Sequence, residues 1–87
     1  MDNKVLISII NADGTYTEDF EIPATVKVSE WIGQLLVYFY SSQQKYFPQQ
    51  GTEKPLKLYF KKRILGGSDT LQSVGVTRGS ILIADWR

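Results

Sequence analysis

Only one stretch of this chain carries helical periodicity, and strand-forming sequence lies on both sides of it. Trp31, Ile32, Leu35, Leu36 and Phe39 recur at the spacing of one helix face, a stripe about two residues wide. Val28 falls on the same side. Ser29 is a suitable N-cap residue, and Glu30 in the first turn suits the positive end of the helix dipole. Gly33 weakens the helix by roughly 1 kcal/mol relative to alanine. A lone amphipathic helix has to bury its stripe on a sheet, so the flanking segments decide the fold.

Before the helix, Val5–Ile10 is β-branched and nearly all apolar, the mark of a central strand. Asn11-Ala-Asp-Gly14 reads as a turn. Thr15–Ile22 alternates: Tyr16, Phe20 and Ile22 share one face, with Glu18 as the exception, and Thr15, Thr17, Asp19 and Glu21 share the other. That is a half-exposed strand paired antiparallel with the first and ended by Pro23. After the helix, 41–55 reads as a helix end followed by a long loop. Leu56–Lys61 is a third strand, Lys62-Arg63 turn the chain, and Ile64-Leu65 form a short fourth strand. Gly66–Asp69 is a loop, Leu71, Val74 and Val76 anchor the next turns, and Arg78-Gly79 lead into a last strand, Ser80–Trp86. The order β-β-α-β-β-β predicts an α+β fold: a mixed sheet of four to five strands, one helix crossing one face, and the first and last strands parallel at its centre. The right-handed crossover rule allows it.

At 87 residues the chain makes a single domain, 1–87, with one core. It contains neither cysteine nor histidine, so disulfides, thiolate metal sites and the common nucleophile–base pairs are ruled out by composition. The acids are scattered without helix-face pairing, and no phosphate-cradling Gly-x-x-x-x-Gly-Lys occurs. No catalytic role, cofactor, metal or small-molecule substrate is expected. Stability has to come from apolar burial, to which eleven aromatic residues contribute. The start, Met-Asp-Asn-Lys, has no secretion-signal pattern, and the longest apolar run, Leu35–Tyr40, is far short of a membrane span. A cytoplasmic protein is expected.

The segment Lys57–Arg87 resembles the C-terminal half of ubiquitin, with Leu58, Phe60, Leu65, Leu71, Val74, Val76 and Leu82 at its usual buried positions. The likeness extends over nearly the whole chain apart from roughly ten extra residues between the helix and the third strand. It implies the ubiquitin-like β-grasp fold. Leu71-Gln-Ser-Val-Gly-Val-Thr-Arg-Gly-Ser-Ile-Leu-Ile83 is similar to a bacterial branch, the YukD and EsaB group of ubiquitin-like proteins of type VII (Esx-type) secretion systems. Gly75–Gly79 resembles that group's pattern before the final strand, with Ser80 where an acid is common. The resemblance implies an accessory or regulatory component of such a system, binding protein partners. Conjugated relatives end in a Gly-Gly tail. This chain stops at Asp85-Trp86-Arg87 and its Gly66-Gly67 is internal, so a module that is not conjugated is expected. The apolar patch by which ubiquitin is recognised aligns with Tyr59, Ile83 and Asp85, where the acid interrupts it.

Two other features suggest partners. Residues 1–30 carry six acids against Lys4 and Lys27, while residues 31–87 carry three acids and eight bases. Five of those bases lie between Lys54 and Arg63, around Tyr59 and Phe60. Alternation turns Phe60 inward with Leu58 and leaves Lys57, Tyr59 and Lys61 outside. The expected protein-binding surface is therefore Lys57, Tyr59, Lys61, Arg63, Ile81 and Ile83 on the exposed sheet face. Nucleic-acid binding through the basic turn is the weaker alternative, since a net charge of +1 offers little phosphate affinity. A further alternative is the cytosolic domain of a larger membrane secretion component. Trp31-Ile-Gly33 spells the Trp-x-Gly of exported type VII substrates but lies in a helix, so Trp31 is read as a core residue. Val37, Tyr38 and Tyr40 lie off the apolar stripe. Either the long loop folds back over them, with Tyr46 and Phe47, or the back of the helix is a partner site or a homodimer contact.

Overall fold

The computed structural model describes residues 3–48 and 56–86. Its elements are β1 (Lys4–Asn11), β2 (Thr17–Pro23), α1 (Val28–Ser42), β3 (Lys57–Phe60), β4 (Arg63–Ile64) and β5 (Ile81–Asp85). The five strands form one mixed sheet in the order β2-β1-β5-β3-β4. β5 runs parallel to β1 and antiparallel to β3, so the last strand lies at the centre beside the first, as the sequence predicts. α1 covers one face, and the core between them is built from Ile7, Ile9, Val28, Leu35, Phe39, Leu58, Leu71 and Leu82, all nearly or fully buried. Burial alternates along β3 and β5, leaving the opposite sheet face without a covering element among the described residues.

Three local details differ from the sequence reading. The helix begins at Val28, not at a Ser29 cap, and Lys27 at the cap position makes no side-chain bond. The first helical N–H groups are met from the far end of the sequence instead. Val28 donates to the carbonyl of Asp69 at 2.8 Å and Ser29 to that of Gly67 at 3.0 Å. The orphan donors of a helix start are thus satisfied by backbone, which makes a capping side chain redundant. A β-carbon on Gly67 would lie 3.4 Å from that of Ser29, so the small residue lets the loop come this close.

Second, the tight turn falls on Lys61-Lys62, not on Lys62-Arg63. Both lysines take positive φ, 50° and 70°, which matches the twist of a two-residue hairpin. The fourth strand is accordingly Arg63–Ile64 rather than Ile64-Leu65. Leu65 follows it, buried, with its N–H on the Leu58 carbonyl at 2.9 Å.

Third, Phe47 does not lie over the back of the helix. It is fully buried and stacks on Phe39 with ring centroids 4.3 Å apart. Tyr46 packs on Tyr16, and Val37 stays 65% exposed. Tyr38 and Tyr40 are half-buried through their own bonds. The Tyr38 hydroxyl reaches Glu18, and the Tyr40 hydroxyl accepts the Leu56 N–H at 3.2 Å. The remainder of the long loop, residues 49–55, lies outside the described residues.

Candidate functional site

The uncovered face of the sheet is assembled by register. Tyr59 lies opposite Ile64 on β4 and opposite Ile83 on β5; Ile83 lies beside Ile10 on β1, and Ile10 opposite Thr17 on β2. Directly opposed residues share a face. Ile64, Tyr59, Ile83, Ile10 and Thr17 therefore form a row across all five strands. A second row runs through Ile81, Ser8 and Asp19, and a third pairs Lys57 with Asp85. Ile64, Ile81 and Ile83 are 46%, 52% and 45% exposed, so this is an apolar patch open to solvent. Single exposed aliphatics are ordinary; here three lie on one face of the sheet.

Of the residues expected on this face, the structure brings together Lys57, Tyr59, Ile81 and Ile83, with Lys61 exposed at the turn beside them. Arg63 is the exception. It is paired with Phe60, whose side chain is buried toward the helix, so Arg63 leaves the sheet on the opposite side. There its guanidinium lies 3.6 Å from Asp69. The Asp69 carboxylate also accepts the Gly66 N–H at 2.8 Å, which ties the arginine to the loop that caps α1.

Ile64 and Ile10 belong to the face and were missed. The two-residue turn placed on Lys61-Lys62 settles Ile64: residues equidistant from such a turn oppose one another, and Tyr59 and Ile64 are. Ile10 could have been found by alternation, because it is out of phase with the core positions Ile7 and Ile9.

Around Tyr59 the surface dips into a shallow depression of about 370 Å³, lined by Tyr59, Lys62, Ile83 and Asp85. Three of those four are the positions that align with ubiquitin's recognition patch. The acid lies at the rim, with Lys57 across from it on β3. The face is also polarised. Asp19 and Glu21 project from β2 at one side, and Lys57 and Lys62 lie at the β3–β4 side, while the Lys61 ammonium at the turn lies 5.3 Å from the centroid of the inward Phe60 ring. The Ser8 hydroxyl on β1 donates to Asp19 on β2 at 2.7 Å and so holds that carboxylate on the surface.

A second hollow lies between β2 and α1, lined in part by Phe20, Ile22, Pro23, Trp31 and Tyr38. Trp31 is half-buried at its wall and donates its indole N–H to the Val26 carbonyl at 3.3 Å. It is a rim residue rather than the core residue expected. Above it, the Tyr16 and Tyr38 hydroxyls both donate to the Glu18 carboxylate, with Gln43 Nε2 donating to the Tyr38 oxygen at 3.2 Å. Burial, then the bond and charge of Glu18, push the Tyr16 hydroxyl well above its ordinary pKa. These bonds join β2 to the end of α1. Among the described residues, no cluster of acids is placed to hold a metal ion, and no helix is long and apolar enough to cross a membrane.

No protein-family model and no curated protein matches the chain. Solved structures do. The N-terminal ubiquitin-like domain of the 4931431F19Rik protein superposes with a TM-score of 0.70 at 18% identity, over 100% of this chain and 78% of that one. The ubiquitin of Caldiarchaeum subterraneum gives 0.69 at 21% identity, over 98% and 95%. The ubiquitin-like domain of the Arabidopsis thaliana protein At2g32350 gives 0.65 at 16% identity, over 93% and 74%. At such identities the likeness establishes the fold, and the fold is ubiquitin-like: a five-stranded mixed sheet holding one helix.

Proposed function

We propose that this chain is a protein-binding module that docks its partner on the uncovered sheet face and performs no reaction of its own. The observation that carries the reading is the row Ile64, Tyr59, Ile83 and Ile10, continuous across four strands and bordered by Lys57 and Lys62. An aromatic and several aliphatics at the centre with bases at the rim is the composition of a protein interface. Ile81 extends the patch, and Arg63 takes no part in it.

The setting we infer is the cytoplasmic side of a bacterial type VII secretion system, with a component of that system as partner. What supports it is the likeness of Leu71–Ile83 to the YukD and EsaB group. Replacing Tyr59 and Ile83 together by alanine is expected to leave the circular dichroism spectrum unchanged and to abolish capture of the partner from host lysate. Undiminished capture by the doubly substituted protein would remove this face from consideration. Mass spectrometry of what the unaltered chain retains tests the setting separately, because secretion-system proteins should dominate it.

A further inference from the structure

We propose that the same sheet face also binds a second copy of this chain, about a twofold axis running parallel to the strands; the inference rests on that face being a docking surface.

The distribution of charge across the sheet selects this occupant and this axis. β5 is the middle strand, with β1 and β2 on one side and β3 and β4 on the other. The acids Asp19 and Glu21 stand on β2. Lys61 and Lys62 stand at the β3–β4 turn on the opposite side. When two identical faces meet about an axis along β5, each position meets its mirror position across the sheet. β2 then covers the β3–β4 side of the other copy. Asp19 shares the row of Ser8 and Ile81, and the β3 register extends that row to the Lys61 turn. Asp19 of each copy therefore comes over the Lys61-Lys62 turn of the other, with Glu21 one row away. Along the axis Ile81 and Ile83 meet their own counterparts, as does Asp85 at the end of the strand, where Lys57 of the same copy stands beside it, and Ile10 meets Tyr59. The contact is isologous, apolar at its centre and oppositely charged at both side margins; the two Asp85 carboxylates at the end of the axis are each offset by their own Lys57, so the side margins set the preference.

The alternative axis, in the plane of the face but across the strands, superposes acids on acids and bases on bases. Like-charge juxtaposition disfavours it. The geometry resembles the aligned packing of two sheets, about 10 Å apart. The patch is small, so the self-association belongs to the weak end of specific interfaces. Since the same residues serve both contacts, a partner must displace the second copy before it can dock.

Sedimentation and amide chemical shifts of the purified full chain, followed from micromolar to millimolar concentration, test this directly. Concentration-dependent shifts are expected at Ile10, Tyr59, Ile81 and Ile83. Asp19→Lys alone and Lys62→Glu alone should each weaken dimerisation by roughly tenfold, because each turns two symmetry-related attractions into repulsions. An equimolar mixture of the two variants should recover the original affinity, since a mixed dimer has an opposite charge at both margins. A monomer at every concentration, shifts confined to the helix around Val37, or no recovery on mixing would each overturn the proposal. The readouts need no partner, so a monomeric protein whose Tyr59 and Ile83 still govern capture would sink the dimer and leave the docking face standing. Spectra of each variant at high dilution establish that it is folded before association is compared.

Discussion

Glu18 is an acid on the inward side of an alternating strand. The two hydroxyls that donate to it, from Tyr16 and Tyr38, account for its place there. A carboxylate turned toward a core is costly unless donors meet it. Tyr16 has the same problem in reverse: its ring packs edge-on against Phe39 and Phe47, and its hydroxyl is held protonated. The folded chain therefore keeps this proton to a higher pH than the unfolded chain, whose tyrosine ionises around the ordinary value of 10.0. The stabilisation is fully present below that value and is lost as pH rises above it. Urea denaturation at pH 8 and at pH 11 should show a smaller loss of stability for Tyr16→Phe than for the unaltered chain. An equal loss in both would show that Tyr16 does not control the alkaline limb.

At the scale of elements, the segment after the helix shows where a linear reading stops. Strand positions were legible wherever alternation ran long enough: Leu58 and Phe60 inward, Tyr59 outward, Leu82 and Ala84 inward, Ile81 and Ile83 outward. The turn at Lys61-Lys62 was not, because neither residue is one that favours positive φ. The one-residue error that followed was enough to put Arg63 on the wrong side of the sheet, since side chains alternate with period two. The helix start was misread for a different reason: its cap comes from the carbonyls of residues 67 and 69, and a distant backbone segment leaves no trace next to the helix. Phe47 likewise looks like loop sequence, yet it fills the space beside Phe39. Phe47→Ala should lower the unfolding free energy by about 3–5 kcal/mol, the range for emptying a large aromatic site. Guanidinium denaturation measures it, and a loss below about 1 kcal/mol would mean that the ring is not part of the core.

For the molecule as a whole, the acids of β2 and the bases of β3 and its turn stand at opposite sides of one sheet, so part of the charge asymmetry visible in the sequence becomes a spatial dipole across the uncovered face. The architecture depends equally on the arrangement of strands. β1 with β2 and β3 with β4 are local hairpin pairs, and only β5 joins them. A chain ended after Gly79 should lose its cooperative thermal transition, followed by circular dichroism; a retained transition would show that the two hairpins and the helix hold together without the central strand.

That placement has a consequence for how the molecule is born. The keystone of the sheet is the last strand to leave the ribosome, and until it arrives β1 and β3 each present a bare apolar edge on the nascent chain. Helix α1 waits as well, because the loop that caps it emerges after it. Folding of this sheet is therefore deferred until residues 81–85 have emerged, and its edges stay open until that strand slots between them.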